Sequence, residues 1–179
     1  MAREKYGYAE SSDIKATVAG HCFDIRNDSL PIENGTLWKL GDMSQADEIY
    51  AVTKAAKADK VVLALSALYA YDTSTTLGQH EMFLRKEAGE TARAYEIVEH
   101  DRFAVADYMI KAVSDSVAVG NYIVVNDDSS PTTQYKEVAS SGDVSAYGFV
   151  AKVVGVKVNS NMTIVRLDVI KNAEVVAGK

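Results

Sequence analysis

Residues 149–170 read FVAKVVGVKVNSNMTIVRLDVI, two apolar runs separated by Asn159, Ser160 and Asn161. In the second run Val165, Leu167 and Val169 alternate with Arg166 and Asp168. That period of two puts three apolar side chains on one face of a strand and the charges on the other. In the first run Val150, Val154, Val156 and Val158 share one face while Phe149, Ala151 and Val153 occupy the other. A strand apolar on both faces belongs in the middle of a sheet. The polar triplet closes the two runs into an antiparallel hairpin, which sets the whole chain among β proteins.

Toward the N-terminus, short segments rich in Val, Ile, Thr, Tyr and Phe recur between Gly, Asn, Asp and Ser. Strands are expected over 134–138, 121–125, 102–106, 92–100, 60–65 and 48–53, a short helix over 108–113 and a turn-rich loop over 126–131. Asn34-Gly35 suits a type I′ turn, since both residues accept positive φ, and residues 36–40 follow as a strand that stops at Gly41. The Ala- and Lys-rich link 54–59 reads as a helical turn, and helix is the competing reading for all of 44–70. Residues 1–13, MAREKYGYAESSD, are polar and aperiodic and read as an arm, unstructured until docked, with Tyr6 and Tyr8 as anchors on a neighbouring subunit. The expected architecture is mainly β: a small antiparallel β-barrel or sandwich with one or two short helices and an extended N-terminal arm. The arm spans 1–13 and a single β-rich domain spans 14–179, with a sub-division near 85–90.

The balance of 47% hydrophobic and 25% charged residues is that of a globular chain that folds. A net charge of −6 repels phosphate and anionic lipid, so neither nucleic acid nor membrane is an expected partner. Cys22 stands alone, which rules out an intramolecular disulfide, fits synthesis in the cytosol and reads as a small buried hydrophobe. No secretion signal or membrane anchor is expected, because the N-terminal segment lacks an apolar core and the longest nearly apolar stretch, 61–70, is about half a bilayer span.

Motifs that carry chemistry fail at identifiable positions. His80-Glu81 opens like HExxH, but Leu84 stands where the second zinc-binding His belongs. Residues 126–130 place oxygen donors at alternate positions without the central Gly and distal Glu of a calcium loop. No nucleophile elbow, phosphate loop or dinucleotide fingerprint occurs. Glu96 with Glu99, and His100 with Asp101, point to opposite faces if 92–101 is one strand. The expectation is a non-enzymatic protein without metal or cofactor.

The stretch 88–105, AGETARAYEIVEHDRFAV, resembles the capsid decoration, or cement, proteins of tailed bacteriophages. These often carry a Gly-containing stretch, an Arg-x-Tyr strand, here Arg93-Ala94-Tyr95, and an Asp-x-Phe strand start, here Asp101-Arg102-Phe103. A segment like 119–125, VGNYIVV, follows. The earlier Asn34 to Leu40 and the closing hairpin fit the same order. Where that family often has Gly before the Asp, this chain has His100.

The resemblance implies a small β-barrel or sandwich, in some members a trimer, on the outer surface of the virion capsid. Made in the host cytoplasm, it would bind the major capsid protein and stabilise capsomer junctions. Tyr6, Tyr8, Trp38, Arg93, Tyr95 and Arg102 are the contact residues nominated by this reading. Two other readings stand beside it: a tail or head-completion component, and a β-barrel module for a small molecule or glycan that uses Trp38 and tyrosines as a stacking platform.

Overall fold

The structure is a computed structural model. It describes residues 5–66, 84–127, 134–158 and 162–176. In chain order the elements are β1 (Ala9–Asp13), α1 (Lys15–Ala19), β2 (Cys22–Arg26), β3 (Leu37–Met43), β4 (Tyr50–Lys54), β5 (Val62–Ala64) and β6 (Thr91–Glu96). There follow β7 (Arg102–Ala106), a 3-10 turn (Asp107–Met109), β8 (Ile110–Lys111), β9 (Tyr122–Val125), β10 (Tyr135–Val138), β11 (Phe149–Val158) and β12 (Thr163–Asn172). Among the described residues the protein is mainly β and has two bodies: a sheet in the order β1-β7-β12-β11-β9-β10-β8, and a closed barrel in the order β2-β4-β3-β5-β6.

The hairpin of residues 149–170 forms, but the faces of its first arm change: a bulge between Val153 and Gly155 puts Val156 and Val158 on the inner face with Val153, opposite Val150, where strict alternation groups them with Val150. β11 and β12 pair antiparallel from Phe149 with Asn172 to Val158 with Thr163, and β11 lies at the centre of the sheet order. Val165, Leu167 and Val169 are fully buried, as their alternation requires. The turn 159–161 lies outside the described residues. The first arm differs at its far end, where Val154, Val156 and Val158 are 47%, 39% and 78% exposed. The cause is pairing: β9 and the residues just before it accompany β11 only as far as Val153, so among the described residues 154–158 are bonded on one side alone.

Sheet and barrel share a wall. On β3, Leu37 points out of the barrel into the core under the sheet, with Phe103, Ile123, Phe149, Val165 and Leu167, while Trp38 points into the barrel. On β5, Leu63 likewise joins the sheet core while Val62 and Ala64 line the barrel. Ile25, Ile32, Val52, Ala92 and Ala94 complete the barrel filling. Each such burial contributes on the order of 1.5–3 kcal/mol for a large aliphatic side chain.

Several local expectations are corrected. At Asn34-Gly35 only Gly35 has positive φ, at 80°, and the turn bonds Thr36 N–H to the Glu33 carbonyl before feeding β3. It is not a type I′ hairpin. A side chain at Gly35 would also meet Ala9 Cβ at 2.8 Å. β3 runs through Gly41 to Met43, absorbing the glycine in a register shift. The helix reading for 44–66 is overturned by β4 and β5, and residues 67–70 lie outside the described part. The link 54–59 is a turn pinned by the Asp59 carboxylate, which accepts the Ala56 N–H at 2.8 Å. The expected helix at 108–113 is a 3-10 turn, because Ile110 and Lys111 leave it to pair in parallel with β10. Conversely, α1 is a single helical turn that the strand reading missed, capped at Gly20 with φ 73°. Cys22 is exposed, not buried.

The strand expected over 92–100 ends at Glu96. Beyond it the chain turns through residues 98–101, with Asp101 N–H bonded to the Val98 carbonyl at 3.1 Å and His100 at φ 71°. Asp101 is buried, and its carboxylate accepts the N–H of Val98 at 2.8 Å and of Lys15 at 3.0 Å. One aspartate thus fixes the turn, the start of α1 and the start of β7. His100 occupies a conformation that glycine adopts at least cost. His100→Gly is therefore expected to raise stability by about 0.5 kcal/mol, and His100→Ala to give no gain; urea titration of the three proteins measures this.

The arm is extended, and residues 5–13 dock on their own domain. The Tyr8 carbonyl accepts the Ala106 N–H at 3.1 Å, and β1 then pairs with β7. The Gly7 N–H donates to the buried Glu33 carboxylate at 2.7 Å, and a Cβ at Gly7 would collide with the Asn34 carbonyl oxygen.

Candidate interaction surface

The six nominated contact residues do not converge. Trp38 is 2% exposed inside the barrel, with Nε1 donating to Thr36 Oγ1 at 2.7 Å, so it offers no surface to a partner or a sugar. The alternation of β3 decides this: with Leu37 turned to the sheet, its neighbour must turn inward. Tyr6 and Tyr8 are half-buried and held within the chain. Arg85 stacks 4.4 Å from the Tyr6 ring centroid, and the Tyr108 hydroxyl donates to the Tyr6 carbonyl at 2.8 Å. Burial pushes the Tyr108 phenol well above its ordinary value, which keeps it a donor. Arg93 is exposed on the barrel, 3.9 Å from Asp24, while Tyr95 on the same strand packs partly against the sheet core. Arg102 lies elsewhere, on the face of the sheet turned away from the barrel, 2.7 Å from Asp13.

Arg102 leads to the surface with the most distinctive chemistry. Residues paired across neighbouring strands share a face. Arg102 and Lys152 each pair with Asp168, Arg166 pairs with Gly155, Lys157 with Ile164, and Lys136 with Val124. The partners of the inward residues Leu167 and Val165 are Val153 and Val156. Arg102, Lys136, Lys152, Lys157 and Arg166 therefore stand on the outer face, together with Glu10, Asp13 and Asp168. Lys152, Lys157 and Arg166 have no ion pair among the described residues. An open hollow of about 440 Å³ on this face is lined by Ser12, Asp13, Arg102, Val154, Gly155 and Arg166. On a chain of net charge −6 this is a local excess of cations beside exposed valine, suited to gripping carboxylates.

Sequence reading nominated only Arg102 here. Arg166 and Lys157 were legible as the polar phase of the hairpin, but a charged phase on a strand normally means solvent. What marks them is that they lack an ion pair among the described residues, and pairing distance is not written in the chain.

A second cluster arises from distant positions. The Glu96 carboxylate accepts from Lys60 Nζ at 2.8 Å and lies 3.0 Å from His21 Nδ1, beside a hollow of about 130 Å³ under α1. The Lys60 hydrogen bond, opposed by desolvation and aided by His21, holds this carboxyl below its usual range. The β2–β6 pairing brings His21 to Glu96 and the β5–β6 pairing brings Lys60, from positions remote in the chain and with no local signal. Among the described residues no group of three or more His, Cys, Asp and Glu is gathered to hold a metal ion. His80, Glu81 and residues 128–131 lie outside the described part.

Neither a protein-family model, nor a curated protein, nor a solved structure matches this chain.

Proposed function

We propose that this chain is a structural protein of a tailed-phage head, docked on the capsid exterior across capsomer junctions. The observation that carries the reading is the turn at 98–101. The resembled family often has Gly before the Asp of the strand start, and here that position, His100, holds φ 71°, the conformation for which glycine is suited. Asp101 and Phe103, the other two positions of that motif, are both buried and fix β7. The motif thus has a structural reason in this chain.

The rest of the molecule suits the role. The barrel lumen is filled by side chains, so the body is stiff, and the cationic outer face offers contacts whose individual weakness is offset when many copies bind one shell. Cryo-electron microscopy of the virion tests the proposal. The expected result is density for this fold on the outer surface of the head, at contacts between capsomers. Density confined to the tail or the head–tail connector, or its absence from the particle, overturns it.

A further inference from the structure

At one end of the large sheet only four strands remain, in the order β1-β7-β12-β11, and among the described residues both outer strands are open. There β1 pairs with β7 alone. On the other side, the last backbone bonds to β11 are those between Val153 and residues 120 and 121, which leaves residues 154–158 without a neighbour among the described residues. Unpaired strand edges are usually guarded by charge or bulges because they invite pairing with another chain. Here both edges carry a bulge, and their charges are opposite: Glu10 and Asp13 on β1, Lys157 on β11.

We propose that these two edges recognise each other between copies, so that β11 of one molecule pairs with β1 of the next and the sheet runs on from copy to copy. Three observations favour a second copy as the occupant. Both free segments are five residues long. Their directions agree, since β11, β12, β7 and β1 alternate, so continuing the sheet sets β11 antiparallel to the next β1. Their side chains also match. With residues 154–158 laid against Asp13 to Ala9, Lys157 falls opposite Glu10 on the outer face, and Val158 falls opposite Ala9 on the inner face. The two bulged stretches, at 154–155 and 12–13, meet. The exposed Val156 and Val158 thereby gain cover on the face that carries the core. The contact is heterologous, so it closes into a ring or extends as a chain. Main-chain bonds supply affinity, and the Lys157–Glu10 pair sets the register.

The inference does not depend on docking to a capsid and is tested on the isolated full-length chain by sedimentation velocity at about 50 mM and about 500 mM salt. Reversible association is expected at low salt. Glu10→Lys and Lys157→Glu, each placing like charges opposite one another, are each expected to weaken it about tenfold or more. Combined in one chain, they restore it. Both side chains are exposed, and circular dichroism confirms that each variant folds. A wild type that stays monomeric to about 1 mM, single reversals without effect, or a double reversal no better than either single one overturns the proposal. So does binding of a labelled oligonucleotide by a protein that remains monomeric.

Discussion

Glu137→Ala is expected to lower stability by about 3 kcal/mol, because three charge-assisted hydrogen bonds to a buried carboxylate vanish and the largely exposed loop between β8 and β9 loses its anchor. Glu137 lies on β10 opposite Ile123, facing inward, and is 1% exposed. Its carboxylate accepts the N–H of Val113, the N–H of Ala118 and the Asn121 side-chain amide, each at 2.8 Å. These bonds shape the whole loop between β8 and β9. Burial pushes this carboxyl upward, but the three donors outweigh it, and the group lies below its ordinary value of 4.5. A depressed carboxylate contributes stability in full above its unfolded value, and the contribution is lost as pH falls through the folded value. Glu137→Gln should therefore be clearly less stable than wild type at neutral pH and converge with it in acid. Urea titrations at several pH values measure both; a gap that stays constant as the acid limb is crossed would contradict the assignment.

Trp38→Ala is expected to cost a further about 4 kcal/mol, the range for removing a large aromatic ring from a packed interior. The side chain fills the barrel beside Ile25, Val52 and Val62, and its indole N–H is paired with Thr36 Oγ1, itself bonded to the Glu33 carbonyl. Trp38→Phe retains much of the volume and loses the donor, so roughly half of that loss is expected. Thermal melts of the isolated protein distinguish this from a partner-facing role, in which either substitution would spare stability and affect only binding.

The β-hairpin of residues 149–170 and the strands at 102–106, 122–125 and 135–138 were legible as short runs of Val, Ile, Tyr and Phe bounded by turn residues, and the second arm of the hairpin also by its period of two. Other features depended on pairings that no local pattern encodes. The division into barrel and sheet follows from β2 meeting β6 and β1 meeting β7 across long stretches of chain. Leu37-Trp38 is apolar at both positions, so nothing in its pattern tells which core receives which side chain. Residues 5–13 look like a loose tail because their anchors, Glu33, Ala106 and Tyr108, are remote in sequence. The turn at 98–101 hid inside an apparently continuous strand because a histidine does the work of a glycine there. At the candidate surface, the residue types were visible and their isolation from counter-charges was not.

The shared wall between barrel and sheet has a consequence for how the molecule comes apart. Leu37 and Trp38 are adjacent in the chain, yet each is a full member of a different core, and Leu63 repeats the arrangement with its neighbours Val62 and Ala64. Peeling β3 or β5 away to open one interior strips side chains from the other in the same motion. The two bodies are thus expected to behave as one cooperative unit: neither should survive excision as a module, and heat or denaturant should reveal no half-folded species in which one outlasts the other.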